Sequence, residues 1–395
     1  MRAKNPTKRV SRKKSASLAD KPSALDFVRL EDRILYSATP TVTVSAPDVN
    51  IGEDVSIQVT FDNTHPTDTG FGPYIDVMLP RNGADGAAGT DTPDGIGAPD
   101  GAGTGTGLVT ANYLGAALAA TSDYTFTDND GGDATTGTFT HPFAKDALGN
   151  AITVTGTVGD RLLVYQLPFG SFAPDQPAAV VNINAQSSDY ADLGTPLAIR
   201  VNGGFMYGND PLDNPIADNP IFQSSYSNPN AWVTDTVTPQ LFTLHKTFNG
   251  PEGETATGPN FLRTYTVTLD VALGQTLSDI DVTDALPTNA QFVSVTGITD
   301  GGTLNGLLTT ANTLTPVGNI AVNFGSVSDG SASFDINFYV PLHDASTANV
   351  INPTTGDDVA VNNNVEALGD WTPLDPRDLG GTDNAHAGSI LPPHE

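Results

Sequence analysis

The sequence predicts an all-β protein: two tandem Ig-like β-sandwich domains that follow a disordered basic N-terminal segment. Three observations carry this reading. Forty Gly and 29 Pro, with few Lys or Glu at helical spacing, disfavour helices and favour short strands joined by turns. Val42 and Val44, then Val55, Ile57, Val59 and Phe61, alternate with other residues at period two, the pattern of half-buried strands. Similar runs recur at 151–155, 161–166, 178–184, 196–201, 263–271, 278–282, 320–326, 332–340 and 358–365, and strands spaced this regularly argue for sandwiches.

The chain begins with a charge reversal. Residues 1–40 hold ten of the 17 Lys+Arg and four acids, which leaves 7 bases against 41 acids, a net of -34, for the rest. A body this acidic repels nucleic acid and anionic lipid and suits an extracellular protein, so no nucleic-acid partner is expected. No run approaches the length of a membrane span. The basic start, from Arg2 to Lys14, lacks the apolar core of an ordinary secretory signal. Without cysteine there is no disulfide framework, so covalent stapling needs another linkage.

The first module is expected over 41–236. Within it, residues 81–107 are nearly all Gly, Ala, Asp, Pro and Thr, which predicts a long flexible loop unable to bury enough to order itself. The second module is expected over 237–385, with 386–395 a linker or truncated end. Internal similarity supports two units, since YIDVMLP at 74–80 parallels DIDVTDALP at 279–287, and NDPLDNPIADNP at 209–220 parallels TPLDPRDLGGTDN at 372–384. A repeated unit suggests that the chain is cut from a longer array.

Two resemblances add to this. Leu30, Glu31, Arg33, Leu35, Ser37 and Ala38, within LEDRILYSA, resemble the N-terminal LEPR-XLL segment of planctomycete cell-surface proteins, with Asp32 in place of Pro and Tyr36 in place of an apolar residue. That resemblance implies an export or sorting address at 1–40. The second module resembles the isopeptide-forming sandwich repeats of bacterial surface and fimbrial proteins. The resembling residues are Leu244–Thr247, Tyr265–Val267, Val282–Pro287 and Asn362–Val365.

In the second module three polar residues fall on inward faces. Phe242, Leu244, Lys246 and Phe248 share one face of the first strand; Ile280, Val282 and Asp284 share another; Val359, Val361, Asn363, Val365 and Ala367 share a third. Burial disfavours the charged forms of amine and acid alike, which yields a neutral nucleophile and a protonated carboxyl. The resemblance implies a self-forming Lys246–Asn363 isopeptide bond, with Asp284 polarising the amide and shuttling protons. Asn362 and Asn364 are alternatives if the register slips by one residue. A purely structural reading has Lys246 reaching the rim, Asp284 capping a turn and Asn363 satisfying a bulge. The first module has Val77 where the Asp would align and no matching Lys, so no bond is expected there.

Asp128, Asp130 and Asp133 form an acidic loop whose hard oxygens suit calcium, the one cofactor this sequence suggests, although solvated turns explain the same residues. Asp210, Asp213 and Asp218 form a second such cluster. The six His fall in no HExxH spacing and no GxSxG elbow occurs, so no enzyme is expected. The reading is a structural or adhesive module of an exported cell-surface or extracellular protein. Its partners would be cell-envelope or extracellular-matrix components and other repeats of the same chain. The alternative is a secreted carbohydrate-binding or carbohydrate-active protein with Tyr207, Tyr226 and Trp232 as a sugar platform.

Overall fold

The computed structural model describes residues 38–84, 93–98, 107–129, 135–145, 150–207, 232–250, 256–286, 290–306, 319–344, 346–350, 364–374 and 383–386. Among these, regular structure is all strand and no helix occurs. The sorting residues Leu30, Glu31, Arg33, Leu35 and Ser37 lie outside the described residues. Ala38, the last of them, is 2% exposed and belongs to the core of the first body.

The first body has three layers. One sheet runs in the order Pro40–Ser45, Asp54–Asn63, Ala179–Gln186, Thr110–Tyr113, Ala116–Ala117. Its alternating residues Val55, Ile57, Val59 and Phe61 are fully buried, as period two requires. With Val181 of the same sheet they face a second sheet, ordered Val233–Val237, Leu197–Tyr207, Gly70–Leu79, Arg161–Gln166, Ser122–Thr125, whose Ile75, Val77, Leu163 and Ile199 point into the same core. The strand Gly70–Leu79 is buried at both parities from Pro73 onward. A third layer explains this: the hairpin of Thr136–Lys145 and Ala151–Thr157 covers the back of the second sheet. Tyr74, Met78, Leu162 and Val164 there meet Phe126, Ala144, Val154 and Trp232.

The expected loop at 81–107 is corrected in part. Ile96 and Ala98 are completely buried, Ile96 bridges Ser187, and the Gly97 N–H donates to the Gln186 carbonyl at 2.7 Å. Arg161 donates to the carbonyls of Gly97 at 3.2 Å and Gly107 at 2.6 Å. One isoleucine amid small residues is enough to seat residues 93–98 in the core, because its neighbours have little bulk to keep it out.

The second body is a two-layer sandwich. Phe242–Asn249, Arg263–Val271, Ser331–Tyr339 and Gln291–Thr296 form one sheet in that order. Thr303–Gly306, Ile320–Asn323, Thr276–Ala285, Asn364–Trp371 and Asp383–His386 form the other. Arg263–Val271 alternates buried and half-buried without a break, and Val267, Leu269, Val282, Val322, Phe334 and Ile336 fill the space between the sheets.

The two bodies share a joint. Pro239–Gln240 pairs in parallel with Val49–Asn50, and the Ile51 N–H donates to the Gln240 carbonyl at 2.9 Å. Ile51 and Ala191, carried by loops of the first body, are buried in the core of the second. Gly52 turns the chain at this joint with a φ of +77°, which other residues rarely adopt.

Candidate functional site

The strand Phe242–Asn249 alternates as its sequence requires, with Phe242, Leu244 and Lys246 buried and His245 and Thr247 exposed. On the facing sheet Ile280, Val282 and Asp284 are buried in the same way. Lys246 and Asp284 therefore point at each other across the sandwich. The ammonium Nζ donates to Asp284 Oδ2, and neither side chain exposes any surface. The purely structural alternative, with Lys246 at the rim and Asp284 capping a turn, gives way to a buried ion pair joining the two sheets.

Aromatic rings complete the surroundings of the amine. Lys246 Nζ lies 4.4 Å from the centroid of the Tyr265 ring. Tyr265 stacks on Phe338 at 4.8 Å and 11°, and Phe248 meets Tyr265 edge-on at 5.6 Å. Burial holds the Lys246 ammonium below its ordinary pKa, opposed in part by the charge and hydrogen bond of Asp284. An amine so placed loses its proton more readily than one in water, and the carboxylate that would take the proton is already its partner.

Asn363 lies outside the described residues. The strand Asn364–Trp371 places Val365 opposite Asp284, with Val365, Ala367, Gly369 and Trp371 buried and Glu366 and Leu368 exposed. Odd-numbered residues of that strand thus face the core, the parity expected for Asn363.

The loop expected to suit calcium is described only at Asp128 and Asn129. Asp128 is exposed, and the Asn129 amide is engaged with Thr138 and Tyr124, donating to the Thr138 carbonyl at 2.7 Å. Asp130 and Asp133, like Asp210, Asp213 and Asp218, lie outside the described residues. Among the described residues no group of three or more His, Asp or Glu is arranged to hold a metal, and no helix is long and apolar enough to cross a membrane. The sugar platform loses its one described member, because Trp232 is only 9% exposed and packs in the core beneath the hairpin. Tyr226 lies outside the described residues, as does the side chain of Tyr207.

One buried constellation escaped the sequence reading. His141, on the covering hairpin, donates from Nε2 to Asp76 Oδ1 at 3.0 Å, with both side chains fully buried. Its Nδ1 accepts from the backbone N–H groups of Phe143 at 3.0 Å and Ala144 at 2.7 Å, which fixes the tautomer. Burial raises the Asp76 carboxyl above its usual range, with His141 opposing. The pair fastens the hairpin to the sheet at a polar point within apolar packing. Asp76 sits in the run Tyr74–Leu79, where double-sided burial erases any period, so only the unusual acid within that run could have signalled it.

No protein-family model matches the chain, and no curated protein matches it. Among solved structures it is similar to the C-terminal domain of the Streptococcus agalactiae antigen I/II polypeptide BspA, at 8% identity over 90% of this chain and 100% of that one, with a TM-score of 0.22. The C-terminal domain of the Streptococcus pyogenes antigen I/II-family protein AspA shares 11% identity over 91% of this chain and 99% of its own, with a TM-score of 0.21. The full-length major pilin SpaD of Corynebacterium diphtheriae shares 11% over 82% of this chain and 59% of its own, at 0.23. These are adhesin and pilin domains. At such TM-scores the likeness transfers no function, and the reading that follows rests on the residues.

Proposed function

We propose that this chain is a structural and adhesive array of β-sandwich modules, exported to the cell surface, whose second module is stapled by an isopeptide bond between Lys246 and Asn363. The module boundaries we propose are 41–236 and 237–385, with residues 1–40 as the export segment. Cell-envelope or matrix components and other repeats of the chain would be its partners. The observation that carries the reading is the fully buried Lys246–Asp284 pair spanning the sandwich, in a chain without cysteine. A buried ion pair is weak evidence of stabilisation by itself, so its retention invites a chemical role.

In the reaction the Lys246 ammonium gives a proton to Asp284, and the neutral amine attacks the side-chain carbonyl carbon of Asn363. The new C–N bond forms as the bond to Nδ2 breaks; Asp284 delivers the first proton to Nδ2, which leaves as ammonia, and takes up the second proton that Nζ sheds on becoming an amide, so that the carboxyl ends protonated. The parity of Val365, Ala367 and Gly369 favours Asn363 over Asn362 and Asn364 as the acyl donor.

Intact-mass measurement of the whole chain tests this, beside Lys246→Ala and Asp284→Ala. The whole chain is needed because Ile51 belongs to the second core. A chain lighter than its sequence by one ammonia, with both variants at full mass, is the expected result. Full mass in the unaltered chain overturns the crosslink and leaves the pair as an ordinary buried contact.

A further inference from the structure

Resting on the crosslink reading, we infer that Tyr265 is its positioning residue: the ring, held in place by Phe338, keeps the Lys246 amine against Asp284 and away from water. Register supports this. Lys246 lies opposite Val267 and Phe248 opposite Tyr265, so Lys246 and Tyr265 are diagonal neighbours on one face. Tyr265 lies opposite Ile336, which makes Phe338 its own diagonal neighbour on the next strand. Amine, Tyr265 and Phe338 thus form one diagonal row across three strands, each residue no more than 5% exposed.

A free lysine chain has another choice. It can extend its head to the rim and keep its water, which would take the ammonium away from Asp284 and leave it protonated. The face of Tyr265 attracts the ammonium at a distance suited to that contact and so favours the inward rotamer before proton transfer. Once the proton has passed to Asp284, attraction between cation and ring ends. The ring still fills the space through which water would reach Nζ, and stacking on Phe338 prevents its withdrawal. The phenol oxygen has no part in this account, so the ring alone should suffice.

The test follows crosslinking over time in the whole chain, purified after brief cold expression, as the fraction lighter by one ammonia. Tyr265→Phe should match the unaltered chain, whereas Tyr265→Leu, close in hydrophobicity, should form the bond about tenfold more slowly, the fold-change expected of one modest cation–ring contact. Phe338→Leu, which leaves the ring but loosens it, should fall between them. Near-UV circular dichroism checks that each variant keeps its packing. If Tyr265→Leu fails to fold, Phe338→Leu decides alone: slowing supports the assignment and an unaltered rate overturns it. Unaltered kinetics in a folded Tyr265→Leu, or slowing in Tyr265→Phe equal to that of Leu, overturns the role of the ring while the crosslink stands. An unaltered chain that stays at full mass overturns the crosslink itself.

Discussion

A lysine and a carboxylate with no exposed side-chain surface are tolerable together and costly apart. Removing one partner leaves the other charged, or forces it to neutralise, in a medium that solvates neither. In a chain carrying Asn363→Ala, which cannot crosslink, Lys246→Ala should therefore lower the stability of the second body by about 3–5 kcal/mol, whereas the double variant Lys246→Met with Asp284→Leu in the same background should recover most of that loss. Urea unfolding of the three proteins checks it, and equal losses in the single and double variants would show that packing, not charge, is what matters there. Asp160 makes a second case, with a definite sign. Burial lifts its pKa from 3.8 to about 6, against the opposing charge of Arg200, whose guanidinium lies 3.2 Å away. The folded state thus holds this proton more tightly than the unfolded state, so the contribution of Asp160 is most favourable below its unfolded pKa. It is lost as pH rises through the folded pKa near 6. Thermal melting should accordingly show stability of the first body declining between about pH 4 and 6, and Asp160→Asn should flatten part of that slope.

The covering hairpin shows how one element depends on a polar contact. His141 donates a hydrogen bond to Asp76 and seats its ring against Tyr74 at 5.1 Å. His141→Phe keeps an aromatic of similar size but removes the donor, and should cost about 2 kcal/mol, the scale of a hydrogen bond to a charged group. Hydrogen exchange should localise the loss to Thr136–Lys145 and Ala151–Thr157, and uniform loosening of the first body would contradict it. The sequence indicated this element only in part. Ala151–Thr157 shows period two, but its partner Thr136–Lys145 contains Gly137, His141 and Pro142 and few branched apolar residues, so no strand was expected there. Strands facing a single core, such as Asp54–Asn63 and Arg263–Val271, were legible because one buried face imposes alternation. The same logic made Lys246 and Asp284 readable as inward residues, and it failed for Asp76, whose strand is buried on both faces. Tyr265 stood within the alternating run 263–271. Its place over the amine was not legible, because a diagonal contact depends on the register between strands.

At the scale of the whole chain, the joint decides whether the bodies behave as separate beads or as one rod. Three features argue for a stiff connection: the parallel pairing of Pro239–Gln240 with Val49–Asn50, the Gly194 N–H donating to the Pro239 carbonyl at 3.0 Å, and the Thr238 N–H donating to Asp48 Oδ1 at 2.8 Å. Stronger than these is Ile51, because a residue 191 positions before Phe242 completes the core behind it. If the second core needs that side chain, then a change in the first body should weaken the second. Ile51→Ala removes a fully buried side chain and should cost about 2–5 kcal/mol, the range for emptying such a site. Hydrogen exchange should report the loss in Arg263–Val271 and Thr276–Ala285, far along the chain from the substitution. Leu163→Ala, buried wholly within the first body, provides the contrast and should leave those two strands unchanged. Equal protection of the second body in both variants would mean that Ile51 merely fills a surface notch and that the modules can swing. Loss confined to Ile51→Ala would mean that force applied at either end passes through a packed joint, which is what an extended surface array must withstand.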